Sequence, residues 1–186
     1  MTISTQLAPP VGLEGDPLDA LHRASRLALH PSATSVDSEV LCAIASGLAA
    51  VTLPWELSTG DVPSERRYAR LLSTPVYEAW VICWPVGTTL DLHDHGGSAG
   101  AFTLVSGQLD ETTISDGQVE QHRYESGETA SFGPALVHAV ANRGTGLATS
   151  VHVYSPPLEV MDYYDSNEDG DFVAVLRDPG GWDDAS

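Results

Sequence analysis

Seven histidines occur in this chain of 186 residues, and two of them, His93 and His95, lie one residue apart in "GTTLDLHDHGG" (87–97). On a strand, residues i and i+2 share a face, so the two imidazoles would project side by side with Asp94 turned away. Two imidazoles at that spacing can grip one metal ion. Taken alone, the pair can equally be two surface or hydrogen-bonded histidines, and the rest of the chain has to decide. A third histidine, His138, stands in "GPALVHAVAN". In "SVHVYSPP" (150–157), Ser150, His152 and Tyr154 alternate, so one strand face presents a hydroxyl, an imidazole and a phenol. That face is either a proton relay or simply polar. It is not a serine hydrolase signature, because no G-x-S-x-G elbow is present. Arg70 follows Tyr68 by two residues. A planar guanidinium grips a carboxylate through two parallel bonds, which a point charge cannot do. The alternative for Arg70 is a surface ion pair with one of the 26 acidic residues.

The totals narrow the chemistry. The net charge is −18, which repels nucleic acid and anionic membranes. All eight basic residues are arginine. The absence of lysine excludes Schiff-base chemistry, pyridoxal phosphate attachment and a P-loop lysine. No run approaches the roughly 20 apolar residues that span a bilayer. The first sixteen residues carry no basic group and no apolar core, so no secretory signal is read there and a cytoplasmic location is expected. Cys42 and Cys83 make no disulfide framework, and Cys83, in an apolar run, reads as a buried free thiol.

These residues need positioning elements. Residues 1–15 read as a flexible leader. Asp16 and Pro17 open a helix that Pro31 stops, and a second helix runs through "DSEVLCAIASGLAAV" with Val40, Leu41, Ile44, Leu48 and Val51 as its apolar stripe. After Pro54 come short β-rich runs at 77–84, 100–114, 128–133, 137–144, 147–157 and 171–178, separated by Gly, Asp and Pro. The expectation is one mainly β domain over 16–178, with helices within 16–52 ahead of a barrel at about 66–178, and an acidic tail at 179–186. The acidic run from Glu159 onward reads as a solvated face.

The motifs together resemble the cupin superfamily, whose members are jelly-roll β-barrels with a ligand cavity. Gly87, five residues, His93-x-His95, four residues, Gly100, six residues and Gly107 follow its first motif; Gly127, His138 and Asn142 follow its second. Gly100 departs from it, since the common motif has a glutamate ligand there, and Pro134 sits one place off the pattern. Within cupins the chain resembles the cysteine dioxygenase family, through "CWPVGTTLDLHDH", "YAR" at 68–70, "HAVAN" and "SVHVYSPP". Mammalian members carry, at the position of Gly100, a cysteine that crosslinks to the active-site tyrosine; glycine implies the crosslink-free bacterial type.

The resemblance implies Fe(II) held by His93, His95 and His138. It implies a substrate carboxylate held by Arg70 and Tyr68, with Trp84 beside the pocket. Ser150, His152 and Tyr154 become a relay, and a cis bond is implied between Ser155 and Pro156. The implied reaction takes a small thiol and O2, L-cysteine first, to the sulfinic acid, in a monomer with no nucleic-acid or membrane partner. Relatives acting on 3-mercaptopropionate typically carry glutamine at the place of Arg70, so Arg70 favours cysteine. The rivals are a dioxygenase of 3-mercaptopropionate or another small thiol, and a non-redox metal-binding cupin. His22, His30 and His122 are left to surface roles.

Overall fold

The computed structural model describes residues 35–115, 118–167 and 171–178. The leader, the helix expected from Asp16 to Pro31 and the acidic tail at 179–186 lie outside these residues. The second expected helix is present as α1 (Ser38–Ala49). Asp37 caps it, its side chain accepting a hydrogen bond from the Val40 N–H at 3.0 Å. A short α2 (Trp55–Thr59) follows.

Among the described residues, eleven strands then build two antiparallel sheets: β1 (Arg67–Ser73), β2 (Glu78–Trp84), β3 (Thr89–His93), β4 (Ala99–Ser106), β5 (Gln108–Ser115), β6 (Gln118–Glu125), β7 (Thr129–Phe132), β8 (Val137–Ala141), β9 (Ala148–Ser155), β10 (Met161–Ser166) and β11 (Phe172–Asp178). One sheet runs β1-β2-β9-β4-β7 and the other β11-β10-β3-β8-β5-β6. The architecture is the mainly β jelly roll expected, built as two facing sheets rather than one sheet closed on itself.

Alternation along the central strands divides the core in two. On β2 and β9, Ala79, Val153 and their neighbours face outward, where Leu41, Ile44 and Ala45 of α1 cover them. Leu41 and Ile44 are fully buried, each stabilising the helix contact by roughly 1.5–3 kcal/mol. The inward residues Trp80, Ile82 and Trp84 of β2 and Tyr154 of β9 join Phe102, Leu104 and Phe132 between the sheets. All eight residues of β9 are buried, as befits a strand covered on both faces. Polar Ser150, His152 and Tyr154 are therefore held at the centre of the sandwich.

The run after Glu159 corrects a sequence expectation. Its acidic composition reads as a solvated face, yet it contains β10. That strand pairs with β3 through Tyr163 opposite His93 and buries Met161. Alternating Met161 and Tyr163 turn inward, and the acids turn outward.

Candidate metal centre

His93 is the last residue of β3 and stands directly opposite His138 of β8. Cross-strand partners have Cβ atoms about 5 Å apart, so the pairing alone brings two imidazoles together. His95 lies two residues beyond the strand, on the loop to β4. That loop is pinned by Asp94, whose carboxylate accepts from the Gly96 N–H at 2.9 Å and from the Tyr164 hydroxyl at 2.7 Å. Asp94 is indeed turned away from its neighbours, and it staples the loop to β10. Gly96 has φ 57° and lies hard against Val160, where a Cβ would collide. The glycine after the histidine pair thus allows the loop to pass close to the β10 side.

The three histidines are each 2% exposed, and their ligand atoms all lie within 4.8 Å of one another. Two have their outer nitrogens occupied. His93 Nδ1 lies 2.7 Å from the Asp91 carbonyl oxygen, and His138 Nδ1 lies 2.5 Å from the Glu111 carboxylate. Each Nδ1 then carries the proton, which leaves each Nε2 lone pair for the cluster. Burial first, then repulsion from His138, holds His93 and His95 well below the usual imidazole range. Three buried imidazoles, two of them with fixed tautomers, are a donor set that fits a divalent cation. Glu111 is itself buried and accepts a second hydrogen bond from the Tyr124 hydroxyl at 2.8 Å.

The Ser150, His152 and Tyr154 side chains are joined as a chain. The Trp84 indole N–H donates to Ser150 Oγ at 2.8 Å, Ser150 Oγ lies 2.9 Å from His152 Nε2, and Tyr154 Oη lies 3.4 Å from His152 Nδ1. Because Ser150 Oγ already receives the indole proton, its own hydroxyl is available to donate to Nε2. A neutral His152 then carries its proton on Nδ1 and offers it to Tyr154. The Tyr154 proton is left for the pocket. Burial lowers His152 to about 3 and raises Tyr154, so the imidazole is neutral and the phenol protonated at neutral pH.

A small pocket opens beside this chain, lined by Tyr68, Trp80, Ile82, Tyr154 and Leu158. Tyr68 stands edge-on to Trp80 at 5.9 Å. Arg70 is exposed, with its guanidinium 5.3 Å above the ring of Trp80, a lining residue. Trp84 is 1% exposed and does not line the pocket; it donates to Ser150 instead. The lining tryptophan is Trp80.

Several residues of the site escaped the sequence reading. Glu111 had one signal: on β5 it alternates with Leu109 and Thr113, an acid at a position of the buried face. Arg66 precedes Tyr68 by two residues as Arg70 follows it by two, and it is half-buried over Trp84 at 5.3 Å. Phe132 stacks on His95 with centroids 4.6 Å apart. Asn142, already named in the second sequence motif, is a structural pin, its amide donating to the Trp84 carbonyl at 2.7 Å and the Gly146 carbonyl at 2.9 Å. The Ser155–Pro156 bond is cis.

A pH dependence follows from the buried imidazoles. A histidine whose folded pKa is depressed leaves the folded state with fewer protons than the unfolded one below about pH 6.5, so stability falls as pH falls through that window. With His152 at about 3, lowering the pH from about 6.5 to about 4.5 removes about 2 kcal/mol through this group alone. Thermal melts of metal-free protein are expected to drop steeply between about pH 7 and 5. An unchanged midpoint would show that these rings are not buried neutral.

Among solved structures, the chain is similar to a protein of Thermus thermophilus at 15% identity, covering 59% of this chain and 94% of that one with a TM-score of 0.47. It is also similar to a cupin superfamily protein from Desulfitobacterium hafniense at 11% identity, covering 55% and 88% with a TM-score of 0.47. A third is KdgF from Halomonas sp., at 17% identity, covering 52% and 84% with a TM-score of 0.45. Family membership rests on a different match. The family model for cysteine dioxygenase type I aligns with residues 34–167, a span that begins just ahead of α1, holds all three histidines and the Ser150–His152–Tyr154 chain, and ends just past β10. The chain therefore belongs to the cysteine dioxygenase type I family.

Proposed function

We propose that the protein is a non-haem Fe(II) thiol dioxygenase that oxidises L-cysteine with O2 to cysteine sulfinic acid. The observation that carries this reading is the buried His93–His95–His138 cluster in a chain of this family. Among the described residues no carboxylate belongs to that cluster; the acid that touches it, Glu111, is engaged with His138 and Tyr124. Ferrous iron held there would supply the electron exchange that lets O2 react with a thiolate.

The chain's own residues do the rest. Arg70 and Tyr68 bind the substrate carboxylate at the pocket mouth. Trp80, Ile82 and Leu158 line the pocket with apolar surface and exclude water. Tyr154 donates its hydroxyl proton toward the reacting atoms, and the Trp84–Ser150–His152 chain fixes the direction of that donation. In the overall change, sulfur loses four electrons and O2 gains them. Both oxygen atoms end on sulfur, so no external reductant is needed.

We assign it to the cytoplasm as a monomer. Cys42 and Cys83 are both free, which fits a reducing compartment. Burial pushes the Cys83 thiol up to about 12, which makes it an inert core residue rather than a nucleophile. No helix among the described residues is long and apolar enough to cross a membrane.

Substrate choice is tested by oxygen uptake of Fe(II)-loaded protein with cysteine, 3-mercaptopropionate and cysteamine. Cysteine is expected to give the highest kcat/KM. A higher value for 3-mercaptopropionate would make the protein a dioxygenase of that acid. Arg70→Ala is expected to raise KM for cysteine about tenfold or more, the size of a lost charged hydrogen bond, with iron content unchanged. Equal loss of iron would make Arg70 a structural residue.

A further inference from the structure

The three imidazoles of the cluster are not held alike. His93 Nδ1 meets the Asp91 carbonyl oxygen, and His138 Nδ1 meets the Glu111 carboxylate. Among the described residues the His95 ring makes no hydrogen bond. It lies against aromatic rings instead, stacked on Phe132 at 4.6 Å and tilted to Tyr154 at 5.2 Å. Such contacts limit where a ring can lie but give its nitrogens no hydrogen-bond direction. The aim of His95 toward the other two rings therefore depends on its backbone, which belongs to the loop from β3 to β4.

Asp94 fixes that backbone on both sides of His95. Its N–H donates to the Asp162 carbonyl at 2.9 Å, and its Oδ1 accepts from the Gly96 N–H at 2.9 Å. The Ser98 N–H then closes the turn on the His95 carbonyl at 3.0 Å. Asp94 is itself held from β10. The Asp162 N–H reaches its Oδ1 at 3.4 Å, and the Tyr164 hydroxyl donates to its Oδ2 at 2.7 Å. A hydroxyl donating to a carboxylate at that distance is a charge-assisted bond, the stronger kind. Met161 and Tyr163 turn inward on β10, so Tyr164 alternates to the outer face of the sheet. It does not line the pocket, and its link to the cluster runs through Asp94.

We propose that Tyr164 is a positioning residue for the metal centre. By holding the Asp94 carboxylate from the outer face of β10, it sets the aim of His95, and with it the affinity and coordination geometry of the bound ion. This rests on the reading of the three histidines as a ferrous site. Tyr164 thus serves His95 as Glu111 serves His138, but through the main chain rather than at a ring nitrogen.

The test uses the full chain with two metals: Fe(II), for affinity by competition with a chelator, and Co(II), whose visible absorption follows the ligand geometry. Tyr164→Phe removes one hydroxyl and keeps the ring. It is expected to weaken Fe(II) binding about tenfold, the lower end of the usual effect of a group that orients a ligand, and to shift the Co(II) bands. Asp94→Ala is expected to weaken binding at least as much. Adding Tyr164→Phe to it is expected to cost nothing further, because the phenol acts through that carboxylate. Where Asp94→Ala does not fold, Asp94→Asn takes its place in the cycle, and the further cost of Tyr164→Phe is expected to shrink. Arg177→Ala removes an exposed ion pair with Asp162 from the same pair of strands and is expected to leave both readouts nearly unchanged.

Unchanged affinity and bands in Tyr164→Phe overturn the assignment. Equal weakening in Arg177→Ala, or full additivity in the double variant, does so too, because the effect is then a general loosening of β10 and β11. In these cases the wild type still binds iron, and the ferrous reading stands. A wild type that binds neither metal overturns that reading and the Tyr164 assignment with it. Tyr164-dependent binding without thiol-dependent oxygen uptake sinks only the dioxygenase.

Discussion

Replacing His138 by alanine is expected to reduce bound iron to background and to abolish thiol-dependent oxygen uptake, while the protein stays folded. His138 is one of only three donors in the cluster, and its register opposite His93 makes it the ligand that ties the two strands together through the ion. Two imidazoles from adjacent positions leave a cation without its third side. A graded companion is Glu111→Gln. The carboxylate accepts from both the His138 imidazole and the Tyr124 hydroxyl. A glutamine has one accepting oxygen and turns its NH2 group toward the other donor. Metal binding is expected to weaken roughly 10–100-fold, the usual cost of losing a group that orients a ligand. Metal analysis after dialysis, with calorimetry for the affinity, reads both variants. Full iron content in His138→Ala would remove that histidine from the metal site.

Placing any side chain at Gly100 is expected to loosen the site from its wall. Gly100 faces Phe132 on β7 and Tyr154 on β9. A Cβ there would collide with the tip of the Phe132 ring, 2.6 Å from Cε2 and closer still to Cζ. The ring has nowhere to retreat, because it stacks on His95 at 4.6 Å and packs 5.5 Å from His138. Overpacking of this kind costs about 1–3 kcal/mol, so Gly100→Ala is expected to melt several degrees lower and to bind iron more weakly. Phe132→Leu in the same chain is expected to restore much of both. Wild-type stability and iron affinity in Gly100→Ala would mean the wall is soft. Phe132 thus occupies the space that a side chain at Gly100 would need, and braces His95 directly.

How much of this could be read in advance depended on whether a residue's role follows from its local spacing. His93 and His95 share a strand face by their spacing alone, whereas His138 joined them only through the family resemblance. Ser150, His152 and Tyr154 alternate, and alternation in a strand is sufficient to join them. The arginines were harder. "ERRYAR" holds three of them, and a shift of one residue exchanges the inner and outer faces. Tyr68 and Arg70 were legible as a pair, but depth is set by the neighbouring strand, which puts Trp84 under Arg66 and Trp80 under Arg70. The tryptophans were confused for the same reason. β10 was hidden because its outward acids dominate the composition, while Met161 and Tyr163 alone carry the inward face. Glu111 lies in the polar "DETT" stretch, where alternation with Leu109 is its one local signal and the bond that gives it a role, to His138, is long-range.

The most direct test is mass analysis of the product after Fe(II)-loaded protein consumes 18O2 in the presence of cysteine. A thiol dioxygenase gives cysteine sulfinic acid with both sulfur-bound oxygens labelled, one O2 used per thiol. Cystine, a single labelled oxygen, or no thiol-dependent uptake at all would contradict the assignment and leave the three-histidine site to another chemistry.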